Sequence, residues 1–516
     1  MTIAVTPAGL QPDEVVAIAR HGAPVALHPS AIDAINRGRQ AVDALSRSTT
    51  PVYGVSTGFG ALANVSIPVE QRADLQRAIV RSHAAGIGEP VAAEVVRAMM
   101  ALRLKTIASG RTGVRIGTAQ AIVDLLNNHI TPVVPEFGSL GCSGDLAPLA
   151  HCALALMGEG SVWSAGELVP AAVALRAHGL APIEFAEKEG LALLNGTDGM
   201  LGMLILALAD LDHLFTSIDV IAAMSVEALR GTDSVFDPEL HAGVRNHPGQ
   251  AMSASITWAA MADSEIVSSH VDDATQVQDA YSLRCAPQVA GAARDVASFV
   301  ADVCARELSS TIDNPIVMPD GSVRSNGNFH GAPLAHAADF LAIAVADLAS
   351  ICERRTDRML DPARSYGLPA FLAGDPGVDS GLMIAHYTQA SVVAEMKRDA
   401  TPASVDSIPT SAMQEDHVSM GWNAAMKLRR SITNLRRVAG IELLTACRAI
   451  DMRKPLTPSP VSAAMVSLVR RSVDGVGADR FLAPEMAAAA EIVASGAIVH
   501  EAMRAMATTS RGCPLT

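Results

Sequence analysis

Ser143 sits in a loop that reads Gly138-Ser139-Leu140-Gly141-Cys142-Ser143-Gly144-Asp145-Leu146-Ala147-Pro148-Leu149-Ala150-His151. A serine among glycines suggests a nucleophile. However, Gly141-x-Ser143-x-Asp145 lacks the closing glycine of a nucleophile elbow, and no strand pattern precedes it, so serine hydrolysis fits poorly. A Ser-Gly pair has a second chemistry open to it. With no Cβ on Gly144, its amide nitrogen can approach the Cys142 carbonyl and close a five-membered ring with loss of water. Ser143, losing its hydroxyl, then becomes a methylidene, and the backbone itself becomes an electrophile.

Other segments also carry more polar chemistry than packing requires. Tyr53-Gly54-Val55-Ser56-Thr57-Gly58-Phe59-Gly60 puts a tyrosine on a glycine-rich loop, and no Gly-Lys-Ser/Thr follows to make it a phosphate loop. Three polar clusters interrupt helical patterns: residues 278–284, with Gln278, Tyr281 and Arg284; Asn326-Gly327-Asn328-Phe329-His330-Gly331; and Gln414-Glu415-Asp416-His417. Any one of them suits a helix cap or an interhelical hydrogen bond. Several together favour a ligand site, because unpaired buried polar groups are costly. The histidines are scattered without ligand spacing, so no metal site is expected.

These residues need a scaffold, and the composition describes one. In 516 residues, 49% are hydrophobic and 18% charged, while aromatics make up only 3%. That is enough to bury a large core of Ala, Leu, Val and Met, and it favours helices packed on helices. Apolar spacings of three and four recur near residues 200–230, 287–310, 333–356 and 417–450, predicting a bundle of long helices. The expected organisation is residues 1–200 as a glycine-loop-rich N-terminal region carrying the Tyr53 loop and Cys142-Ser143-Gly144, 201–450 as the central bundle, and 451–516 as a C-terminal helical region beyond a Pro-rich stretch. A net charge of −14 argues against nucleic-acid binding. The basic run Lys427-Leu428-Arg429-Arg430 with Arg436-Arg437 reads as a charged helix face or subunit contact. The most apolar stretch, residues 199–209, falls short of the ~20 residues a bilayer span needs. With no signal-peptide pattern, a cytoplasmic location and no membrane partner are expected. Seven scattered cysteines without a Cys-x-x-Cys pair indicate neither a disulfide framework nor a zinc site.

At the Ser143 loop the sequence closely resembles the histidine and aromatic amino acid ammonia-lyase family, whose members form a methylidene-imidazolone from a small residue, Ser and Gly. Most carry Ala first; Cys142 is a known variant and gives only its carbonyl carbon to the ring. The resemblance covers almost the whole chain. It returns at the Tyr53 loop, Ser82-His83-Ala84-Ala85-Gly86, Leu194-Asn195-Gly196-Thr197, residues 278–284, Asn328-Phe329-His330-Gly331 and Gln414-Glu415-Asp416-His417-Val418-Ser419. It implies a mainly α, long-helix fold of the fumarase-like kind, an electrophile made autocatalytically from Cys142-Ser143-Gly144, no external cofactor, and a homotetramer whose active sites are built from more than one chain. An ordinary helical lyase of the fumarase and aspartase type would need no such ring.

The resemblance also implies roles. Tyr53 takes the base position, and its ordinary pKa of ~10 must be lowered by positive potential for that work. Arg284 clamps the substrate carboxylate, Asn195 and Tyr281 complete that side, Gln278 supports the wall, and Phe329 packs near the electrophile. Ser82-His83 and Glu415 are the pattern of members acting on histidine, since an imidazole has a donor and an acceptor nitrogen for a His and a carboxylate to read. The expected reaction is non-oxidative loss of ammonia from L-histidine to trans-urocanate, the first step of histidine degradation. The alternative is a lyase or aminomutase for tyrosine or phenylalanine. Asp198 and Met413 stand where many histidine-specific members carry Gln and Asn.

Overall fold

Long runs of Ala, Leu, Val and Met with few interior breakers form helices whose length follows the apolar pattern. The structure, a computed structural model, describes residues 2–46, 57–58, 60, 64–271 and 277–515. Among them are twenty α-helices and only short strands. The four longest helices are Asp198–Ala228, Ala286–Ser309, Ala332–Leu360 and Gly421–Asp451, close to the spans expected from periodicity. The fold is mainly α. The first and third of these are long and apolar enough to cross a membrane by composition, yet 78% and 67% of their most apolar windows are buried inside the protein. Their hydropathy is that of a core.

The chain divides into two compact units, each gathered from separate stretches of sequence. The first comprises residues 1–206, 300–339 and 402–426. At its N-terminus, strands Ile3–Val5 and Val25–Leu27 pair in parallel, with Ile3 opposite Val25, across helix Pro12–His21. That helix packs on Ala93–Ala108, whose residues are buried on every side from Val95 onward. A helix without a polar face belongs in a core. Two small antiparallel sheets follow, one pairing Ile87–Pro90 with Pro135–Phe137, the other joining Thr131–Pro132, Ser161–Ser164 and Glu167–Pro170. A short strand thus does precede the Ser143 loop, contrary to the sequence reading. Three residues beginning with a proline are too few to show an alternating pattern.

The second unit comprises residues 207–299, 340–401 and 427–516. Buried ion pairs tie its helices together. Arg294 meets Asp219 at 2.6 Å, Arg355 meets Glu442 at 2.5 Å, and Ser225 donates to Glu442 at 2.7 Å. The basic run lies on helix Gly421–Asp451, where Arg436 pairs with Asp210 at 2.7 Å and Arg430 with Asp399, so it is a paired helix face.

Candidate active site

The Ser143 loop is fixed from several directions. Leu140 O accepts the Met420 amide at 2.8 Å, and Gly141 O accepts the Gly331 amide at 3.0 Å and the Ser419 hydroxyl at 2.8 Å. Gly144 has φ +74°, and a Cβ there would come within 2.2 Å of Gly196 O. Only glycine fits so close to another backbone. The following Asp145 amide donates to that same Gly196 oxygen at 2.7 Å, so the loop and the Asn195-Gly196-Thr197 turn are seated on one another.

Asp145 anchors this junction. Its Oδ2 accepts the Gly199 and Met200 amides at 2.9 and 3.0 Å, capping the start of helix Asp198–Ala228, and Ser139 donates to Oδ1 at 3.0 Å. Complete burial pushes its carboxyl up to about 7, against the lowering effect of those donors. Arg103, itself buried, pairs with Asp198 at 2.6 Å and donates to the carbonyls of Ala192 and Asn195 at 2.9 and 3.2 Å. It thereby holds the turn that carries Asn195. The Asn195 side chain is 4% exposed, and its Nδ2 donates to Leu191 O at 3.2 Å.

Glu415 reaches the loop from a tight hairpin in which Thr410 and Glu415 exchange both backbone hydrogen bonds. Ser411, Ala412 and Met413 between them all have φ near +52 to +70°, a left-handed run without a glycine. Each such residue costs about 1 kcal/mol or more, and strain of this kind concentrates at functional sites. The Glu415 carboxylate accepts from Ser143 Oγ on Oε1 at 3.0 Å, and from Cys142 Sγ at 3.2 Å and Thr410 Oγ1 at 3.0 Å on Oε2.

These groups face a cavity of about 480 Å³ within the first unit, whose polar walls include Ser82, His83, Ser143, Asn195, Ser411 and Glu415 and whose apolar walls include Leu75, Ile79, Leu146 and Leu191. The volume suits a small amino acid. His83 ends helix Arg72–His83, and Ser82 Oγ lies 3.0 Å from its Nδ1. Burial lowers the His83 pKa below its ordinary value, with the Ile79 carbonyl and the Glu415 charge opposing that shift, so near neutral pH the ring is the uncharged donor-acceptor form.

The structure thus brings together His83, Ser143, Asn195 and Glu415, with Cys142 against Glu415. Phe329 is half-buried two residues before the Gly331 contact to the loop, and it is not among the lining residues. Gln278, Tyr281 and Arg284 belong to the second unit and do not line the cavity. There Gln278 is exposed, Tyr281 is 71% exposed, and the Arg284 guanidinium stacks over the Tyr281 ring at 4.7 Å. Tyr53 lies outside the described residues. Sequence reasoning passed over Asp145, whose position between a Ser-Gly pair and a helix start was a usable signal. It also passed over Thr410 and Arg103, which carry no motif.

A long-helix fold presenting a Ser-Gly loop, an imidazole and a carboxylate to one cavity is the architecture of a helical lyase. Residues 10–471 match the aromatic amino acid lyase family. A histidine ammonia-lyase from Streptomyces griseus is 61% identical over 502 residues, covering 96% of this chain and 98% of that one. Among solved structures, histidine ammonia-lyase from Trypanosoma cruzi superposes with TM-score 0.89 at 38% identity, covering 98% and 96% of the two chains. Tyrosine aminomutase from Streptomyces globisporus does so with TM-score 0.91 at 34% identity over the full length of both. The chain belongs to the aromatic amino acid lyase family, and its reaction class is that of a carbon–nitrogen lyase.

Proposed function

We propose that this protein eliminates ammonia from L-histidine, without oxidation, to give trans-urocanate, the opening step of histidine degradation. The observation that carries the reading is the meeting of His83 and Glu415 with Ser143 in one cavity. A neutral imidazole and a carboxylate supply a donor-acceptor pair for the two nitrogens of a substrate imidazole. Phenylalanine would leave both unpaired, and a site built to hydrogen-bond its substrate rejects an analogue lacking the partners by up to ~10⁴ to 10⁵.

Cys142-Ser143-Gly144 fit the self-made imidazolone. Gly144 is left-handed and pressed against Gly196 where a Cβ would collide, so the residue whose amide nitrogen must close on the Cys142 carbonyl carries no side chain to obstruct it, and the Ser143 hydroxyl, which leaves as water, is hydrogen-bonded to the Glu415 carboxylate. Once formed, that group supplies an electrophile that turns the substrate's amino group into a better leaving group. Around it, Asn195 directs a side-chain amide at the substrate, and Glu415 orients the imidazole. In this proposal Tyr53 removes the β-proton, Arg284 holds the carboxylate, Tyr281 stands by the amino group, and Gln278 and Phe329 shape the wall. A homotetramer with active sites shared between subunits belongs to the same proposal and rests on the family resemblance. A cytoplasmic setting and independence of external cofactors complete the proposal. Seven cysteines, all free, accord with a reducing compartment.

The test is to incubate the purified protein and its Ser143→Ala variant with L-histidine, L-phenylalanine and L-tyrosine, following the conjugated acrylate by ultraviolet absorbance. Urocanate from histidine alone, lost in the variant, is the expected result. Product mainly from phenylalanine or tyrosine would keep the electrophile and overturn the reading of His83 and Glu415.

A further inference from the structure

Ring closure draws only on the carbonyl carbon of residue 142, so the Cys142 side chain is left for another use. It is 8% exposed, packed in a small apolar cluster with Val418 and Met420, and its sulfur points at Glu415. The two oxygens of that carboxylate are held unequally. Among the described residues, Oε2 accepts from both Cys142 and Thr410, whereas Oε1 accepts from Ser143 alone. When Ser143 gives up its hydroxyl, Oε1 loses its donor and Oε2 keeps both.

We propose that Cys142 is a positioning residue for substrate recognition: its thiol donates to Glu415 Oε2 and, with Thr410, fixes the carboxylate so that Oε1 is presented to an imidazole N–H of the substrate. This rests on the histidine reading above. Burial, reinforced by the Glu415 charge, pushes the thiol up to about 12, so the sulfur stays an S–H donor at any working pH and is not a thiolate repelling the carboxylate. With alanine at 142 the carboxylate would hang on Thr410 alone and turn more freely before substrate arrives, a cost that falls on binding.

Steady-state kinetics with L-histidine on Cys142→Ala, Cys142→Ser, Glu415→Gln and the Cys142→Ala/Glu415→Gln double variant test this, with the imidazolone absorbance of each protein as an independent measure of ring content. Cys142→Ala should raise KM about 3- to 10-fold with a smaller change in kcat, less than a hydrogen bond to a charged group usually carries because S–H is a weak donor. Cys142→Ser, which keeps a donor, should recover most of that loss, and ring absorbance should not change. In the Glu415→Gln background Cys142→Ala should add little, since both act through one contact. Three results would overturn the proposal: a KM within twofold of wild type in Cys142→Ala, no recovery by serine, or an undiminished penalty in the Glu415→Gln background. A fall in kcat that tracks lost ring absorbance, with KM unchanged, would also overturn it and assign Cys142 to ring formation. Wild-type protein that carries the ring absorbance but makes no urocanate would instead remove the histidine reading, and this proposal with it.

Discussion

Glu442 in the second unit and Glu415 in the first are both acids held by several hydrogen bonds, but their partners differ in kind. Glu442 is fully buried and meets the Arg355 guanidinium through bonds of 2.5 and 3.0 Å, with Ser225 added at 2.7 Å. Among the described residues Glu415 is held by a thiol and two hydroxyls, all neutral. A buried ion pair cancels its own charges, and neither partner can change without cost, which makes it scaffold. Neutral donors fix a carboxylate while leaving its charge available to a newcomer, which makes it a receptor. One of those donors, the Ser143 hydroxyl, is the group that the proposed ring formation removes.

If the bundle pair is scaffold, Arg355→Met should lower stability by about 3–5 kcal/mol, because it strands a buried carboxylate. Urea unfolding would show it as a lower midpoint, while kcat per folded molecule stays within about twofold. A variant as stable as wild type would break the comparison. A smaller effect sharpens the other half. His83 must be neutral to pair with an imidazole, and burial holds its pKa below the ordinary value. Protonation on the acid side should therefore cost activity, so kcat/KM for histidine should fall about tenfold per pH unit below a midpoint under ~6.5 and lie flat above it as far as His83 is concerned. An acid limb missing from wild type, or unchanged in His83→Gln, would show that this ring does not read the substrate.

The long helices were legible because spacings of three and four persist over twenty to thirty residues, and the observed ends lie within a few residues of the expected ones. The meeting of His83, Ser143, Asn195 and Glu415 was legible through their motifs, since nothing in local spacing joins residues more than 300 positions apart. What held Glu415 in place was not. Ser411, Ala412 and Met413 are ordinary residues forced left-handed by the Thr410–Glu415 hairpin, so no glycine or asparagine marked the turn. Arg103 shares its helix with Arg97 and Lys105, and nothing in that pattern marks it as the one that will hold the Asn195 turn.

On this reading Glu415 serves recognition and chemistry, not folding. Glu415→Gln tests it by two readings on one sample, kcat/KM for L-histidine and the thermal unfolding midpoint. The expected result is a loss of about 10²-fold or more in kcat/KM, with less than about 1 kcal/mol of stability change, a shift of a few degrees at most. Activity within twofold of wild type, or a loss explained by a collapsed midpoint, would contradict it.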